Sequence, residues 1–126
     1  MDAAQALADL TEISSQIEAA VLFDESGEVS GSTIPDEHSA GELARAGAAL
    51  LERGATLGTG SVTQVEAATP EGSVFVVRDG PRLIAATTVP DPTTGLVFYD
   101  LKSCLRDAAP AKPKRRRTVK KDVDEA

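Results

Sequence analysis

Residues 74–105 restrict the fold of this chain more than any other stretch. They read as strand, tight turn, strand, loop and amphipathic helix in immediate succession. Val74-Phe75-Val76-Val77 and Leu83-Ile84-Ala85-Ala86-Thr87-Thr88-Val89 are β-rich runs, and Arg78-Asp79-Gly80-Pro81-Arg82 between them carries an Asp-Gly pair suited to closing a hairpin. The stretch shows no catalytic constellation. It builds a scaffold, and function is expected from the surfaces that scaffold presents.

The rest of the chain supplies partners for that hairpin. Asp2 is a candidate N-cap ahead of Ala6, Leu10, Ile13 and Ile17, whose spacing predicts a helix with one apolar face. Ala20-Val21-Leu22-Phe23 is a short apolar strand, Asp24-Glu25-Ser26-Gly27 is turn chemistry, and residues 28–34 resume extended structure as a first hairpin. Residues 39–57 are helical, Gly58-Thr59-Gly60 ends that helix, and residues 61–69 form a third strand before the turn at Pro70-Glu71-Gly72. Val97, Leu101, Cys104, Leu105 and Ala108 give the last helix its buried stripe. The expected order is helix, two strands, helix, three strands, helix, with no internal repeat.

Composition narrows the function classes. The chain has 126 residues, enough for one domain, and 41% hydrophobic residues, enough for a core. Aromatics are only 3%, which disfavours small-ligand pockets and single-strand nucleic-acid platforms that lean on aromatic faces. One cysteine forms no internal disulfide, no basic start precedes an apolar run, and no apolar run approaches the ~20 residues of a membrane span. A cytoplasmic protein is the expectation.

Charge divides the chain in two. Residues 1–109 hold six basic and 17 acidic side chains, a net −11, whereas residues 110–126 hold seven basic and three acidic ones, a net +4. Pro110-Ala111-Lys112-Pro113-Lys114 marks the boundary, because two prolines and the loss of apolar periodicity do not continue a packed helix. The reading is a folded domain over 1–109 and a disordered basic tail over 110–126.

The helix at residues 39–57 carries an apolar arc too wide for one contact. Leu43, Gly47, Leu50, Gly54 and Leu57 form one stripe, and Ala40, Ala44, Ala48, Leu51 and Ala55 form a second beside it. Together they cover roughly half the circumference, whereas a helix on its own sheet needs about 100°. Gly47 and Gly54 each cost on the order of 1 kcal/mol of helix propensity relative to Ala. Close approach of a second copy of the helix would offset that cost under two-fold symmetry. The competing reading is compositional, since 20 of the 126 residues are Ala. The predicted homodimer interface comprises Ala40, Leu43, Ala44, Gly47, Ala48, Leu51 and Ala55, with Val62, Gln64 and Glu66 from the following strand.

In order and in local motif the chain resembles the Roadblock family, the dynein light-chain type of domain with a profilin-like layered architecture. The resemblance spans about residues 6–109. Ala20-Val21-Leu22-Phe23-Asp24 with Gly27, the small-residue helix ending at Leu57-Gly58, Val74-Phe75-Val76-Val77-Arg78-Asp79-Gly80, and Gly95-Leu96-Val97-Phe98-Tyr99-Asp100-Leu101 carry it. It implies an α+β sandwich: a five-stranded antiparallel sheet, order α-β-β-α-β-β-β-α, with one long helix on one face and the others opposite. It implies pairing of two copies through the middle helix and the adjacent edge strand. It also implies a non-catalytic role as regulator or scaffold partner of a small Ras-like GTPase, as bacterial members look to have. The resemblance fixes no GTPase contact residue.

Enzyme readings find no anchor. Gly54-Ala55-Thr56-Leu57-Gly58-Thr59-Gly60-Ser61 is glycine-rich but lacks the lysine of a phosphate-binding loop, and reads as a helix stop. His38 is the single histidine and reads as surface or capping. Cys104 with His38 matches no metal-ligand spacing, and Cys104 reads as a small core residue. Asp24-Glu25 and Asp36-Glu37 read as solvated turns. No cofactor, metal or small-molecule substrate is expected.

The tail offers a second functional reading. Lys112, Lys114, Arg115, Arg116, Arg117, Lys120 and Lys121 place seven positive charges within ten residues, without an interleaved aromatic. That pattern attracts phosphates of nucleic acid or an acidic membrane without reading sequence. An anion-binding adaptor is therefore the alternative function, and association of the tail with the −11 body is the reading that competes with it.

Overall fold

The computed structural model describes residues 2–58 and 61–108. Along the chain lie α1 (Ala3–Ile13), β1 (Ile17–Asp24), β2 (Val29–Ser32), α2 (Glu37–Leu57), β3 (Gln64–Thr69), β4 (Gly72–Asp79), β5 (Arg82–Thr88) and α3 (Thr94–Asp107). The five strands form one sheet in the order β2-β1-β5-β4-β3, and every neighbouring pair is antiparallel. Element order and fold class are those read from the sequence.

Period-two alternation explains why the central strands are apolar almost throughout. Val21, Phe23, Val76, Leu83 and Ala85 point to one face and pack under α2. Ala20, Leu22, Phe75, Val77, Ile84 and Ala86 point to the other, under α1 and α3. With both faces covered, alternate residues are buried on opposite sides and no polar row remains in the middle of the sheet. The Phe75 and Phe98 rings meet edge to face with centroids 4.9 Å apart, tying β4 to α3.

Local chemistry sets the boundaries. Asp2 caps α1, accepting from the Gln5 N–H at 2.8 Å. The helix stops at Ile13, because Ser14 turns extended and its N–H returns to the Leu10 carbonyl. The expected stripe through Ile13 and Ile17 is therefore corrected. Ile17 opens β1 opposite Thr88, Ile13 is 66% exposed, and Leu7 joins Ala6 and Leu10 on the buried face. Four-residue spacing of two isoleucines fits a helix, but Ser14 leaves helical geometry (φ −118°, ψ 101°) and sends the chain into β1 before Ile17 is reached.

The β4–β5 turn is tighter than the Asp-Gly reading implies. Asp79 still pairs with Arg82, so Gly80-Pro81 is the two-residue loop. The β3–β4 turn needs its glycine outright. Gly72 has φ +151°, and a Cβ there would lie 2.1 Å from the Thr88 carbonyl oxygen. The third strand begins at Gln64 rather than residue 61, although the Thr63 carbonyl still accepts from the Arg78 N–H at 2.8 Å.

Candidate interaction surface

Helix α2 starts two residues earlier than its pattern suggests, because Asp36 is its N-cap. The carboxylate accepts from the Ser39 N–H at 3.0 Å and the Ser39 hydroxyl at 2.7 Å. These bonds hold Asp36 below the ordinary carboxylate value of 3.8. From this start the helix crosses the sheet, touching all five strands.

Its closest approach is at Gly47. A Cβ there would stand 2.9 Å from the Ala85 Cβ and 3.4 Å from the Phe23 ring, so the backbone of α2 rests directly on the sheet's middle strand. Ala40, Ala44 and Leu51 are buried on the same face. The protomer's own sheet thus supplies the close contact that offsets the helix cost of Gly47. These four residues have no surface left for a second copy.

The remaining predicted residues fall on two flanks. Leu43 is half-buried on one flank, which continues through exposed Ala46 and half-buried Leu50 to Leu57, at 88% exposure the most exposed large apolar side chain described. The heptad spacing of Leu43, Leu50 and Leu57 keeps them on one side of the helix. Sequence reasoning had these leucines in its wide arc but left Leu50, Leu57 and Ala46 out of the interface. Half-buried Ala48 and exposed Ala55 lie on the opposite flank. β3 is an edge strand, with β4 on one side only. On it Gln64 is exposed, and half-buried Glu66 accepts from the Thr94 hydroxyl at 3.3 Å.

Between the Ala48–Ala55 flank and the turn ends of β1, β4 and β5 lies a groove of about 780 Å³. Its apolar lining comes from Ala48, Leu51, Ala55, Val62 and Leu83, and its polar lining is led by Asp24, Glu25, Glu52 and Asp79. Arg78 is the one cation lining it among the described residues, and it faces Glu25 at 3.6 Å. Asp24 accepts from the Ser26 hydroxyl at 2.6 Å and from the N–H groups of Ser26 and Glu28. The Ser26 bond above all holds Asp24 below 3.8, so it remains an anion.

The groups considered for chemistry lie apart. His38 is exposed in the first turn of α2 and sits 3.5 Å from Glu42. Cys104 is buried between α3 and α1, its thiol donating toward the Ala6 carbonyl at 3.5 Å. Burial, with Asp107 and Asp9 nearby, pushes that thiol up to about 12. Among the described residues no three His, Cys, Asp or Glu side chains are grouped to hold a metal, and no helix is long and apolar enough to cross a membrane. The tail residues Lys112, Lys114, Arg115, Arg116, Arg117, Lys120 and Lys121 lie outside the described residues.

No protein-family model matches this sequence, and no curated protein matches it. Solved structures do match its backbone. A Roadblock/LC7 domain from Streptomyces avermitilis superposes with a TM-score of 0.76 at 19% identity, covering 85% of this chain and 94% of that one. The gliding protein MglB from Thermus thermophilus gives 0.63 at 17%, covering 84% of each chain. LokiProfilin2, solved in complex with rabbit actin, gives 0.58 at 14%, covering 82% of this chain and 92% of that one. At these identities the likeness is one of fold, and the fold is that of Roadblock/LC7 domains.

Proposed function

Taking the Roadblock/LC7 fold as premise, we propose that this chain is a non-catalytic homodimeric regulator or scaffold of the cytosol, whose partner is a small Ras-like GTPase. The observation that carries the reading is a surplus on α2. After Ala40, Ala44, Gly47 and Leu51 satisfy the sheet, the helix still presents Leu43, Ala46, Leu50 and Leu57 along one flank. Covering the apolar area that Leu57 and the half-buried Leu43 and Leu50 leave in water is favourable, at roughly 25 cal/mol per Å². The unpaired edge of β3 has the same need, because its free N–H and C=O groups are a template for another strand. A second copy related by a two-fold axis meets both needs.

The GTPase element rests on the resemblance of the sequence motifs to Roadblock proteins, and the shared fold supports it. The alternative, an anion-binding adaptor, draws its support from seven cations in residues 112–121.

Light scattering on the full chain tests the dimer. A mass of two chains is expected, and Ala46→Arg is expected to halve it without unfolding. Ala44→Arg is unsuitable, because Ala44 is fully buried against the sheet and an arginine there attacks the fold itself. A monomeric wild type would defeat the proposal. Pull-downs with candidate GTPases loaded with GDP or a GTP analogue test the partner, and equal capture in both states would leave a scaffold rather than a regulator.

A further inference from the structure

We infer that the groove between α2 and the turn ends of β1, β4 and β5 is the docking site of this chain's own polybasic segment, residues 112–121. Three observations meet there. The groove carries Asp24, Glu25, Glu52 and Asp79 around an apolar floor that suits the alkyl stems of lysine and arginine. Asp24 is fixed as an anion by its bonds to Ser26 and Glu28, so it presents charge without needing to reorganise. The segment supplies seven cations in ten residues, and the four carboxylates outnumber the single Arg78.

The exit point of the chain favours capture within one molecule. Ala108, at the end of α3, shares a cavity with Asp24 and Leu83, and both of these also line the groove. The six residues from 109 to Lys114 reach up to about 20 Å when extended, enough to round the end of the sheet. A short tether of this kind holds the segment at an effective concentration on the order of millimolar, so individually weak ion pairs suffice. Docked in this way, the segment is withheld from external polyanions and covers Ala48 and Ala55. Anything that competes for either charge set releases it.

Paramagnetic broadening in the full chain tests the contact. A nitroxide on Val119→Cys is selective, because the native Cys104 is buried and unreactive. At about 0.1 M salt, where the screening length is ~10 Å, backbone amides of Glu52, Ala55, Asp79 and Gly80 are expected to broaden, while those of Thr11 and of Glu71, at the far end of β4, stay sharp. The effect is expected to vanish in Glu52→Lys/Asp79→Lys, whose substituted positions are exposed and leave the core intact. It is also expected to vanish when an unlabelled tail and a spin-labelled one are mixed and the unlabelled molecule is observed. Uniform broadening, broadening centred on another face, persistence in the double variant, or broadening only between molecules would each overturn the proposal.

Discussion

The two faces of the sheet reach closure by opposite means. The α1–α3 face fills its space with bulk: Leu7, Leu10, Phe75, Ile84, Leu101 and Leu105 pack between two helices and the strands. The α2 face closes by proximity, as Ala40, Ala44 and Gly47 let one helix sit almost on the backbone of β5. The two helices bury the bulk of their apolar stripes, and Ile13, Leu96 and Tyr99 are the large apolar side chains they leave exposed among the described residues. One helix, held close by small side chains, leaves both of its flanks partly uncovered, and each is where one proposal rests: the leucine flank for a second copy and the alanine flank for the charged segment. The face with the smaller side chains is thus the one on which function is read.

Truncating the bulk should do the most damage. Phe75 is fully buried and packs against Phe98. Phe75→Ala is expected to cost about 3–5 kcal/mol in urea unfolding. The α2 face should respond instead to added volume. Gly47→Leu forces α2 off Ala85 and is expected to cost about 1–3 kcal/mol. A sharper form uses Gly47→Ala, which gains roughly 1 kcal/mol of helix propensity but meets the Ala85 Cβ at 2.9 Å. In an Ala85→Gly background the same substitution is expected to turn stabilising. An unchanged sign would mean that the closeness of α2 to β5 is not what selects glycine.

Exposed apolar residues separate the faces in a different way. Ile13 on α1 and Leu57 on α2 are 66% and 88% exposed. Either residue changed to Glu should leave monomer stability within about 0.5 kcal/mol, as is usual for surface positions. Only Leu57→Glu is expected to weaken the dimer, read by concentration-dependent light scattering. Equal loss from Ile13→Glu would place the interface on the α1–α3 side and undo the functional contrast.

Much of this layout was legible in the sequence because strands and turns are local. Alternation in residues 74–77 and 83–89, with Gly72 and Gly80-Pro81 between the strands, needs no distant information. Burial partners are another matter. Gly47 signals close approach, but nothing in the helix says whether the neighbour is a second helix or Ala85, which lies 38 positions away in another strand. Ile13 and Ile17 satisfy a helical spacing that Ser14 interrupts. Asp36 looked like turn chemistry, and its capping role shows only when its carboxylate is placed against the Ser39 N–H. The groove was out of reach for the same reason. Its carboxylates come from the end of β1, from α2 and from the end of β4, and the sequence shows them only as part of a net −11.

The smallest effect is the one that distinguishes the faces electrostatically. Asp24 and Asp36 both serve the α2 side, one at the end of β1 beside the groove and one capping the helix, and hydrogen bonding lowers both below 3.8. A carboxyl group lowered by folding contributes stability that is fully present above its unfolded value and disappears as pH falls through its folded value. The window therefore opens just under pH 4 and extends downward. Asp36→Asn keeps a good cap, since Asn serves as well as Asp at that position, but removes the titrating group. Its stability relative to wild type is expected to be lower at neutral pH and to converge on wild type as the pH drops below 4. Because both chains share every other carboxylate, the general relief of repulsion on acidification cancels from the difference. A gap between the two that stayed constant from pH 7 to pH 3 would mean that the charge on Asp36 is not what the Ser39 bonds stabilise.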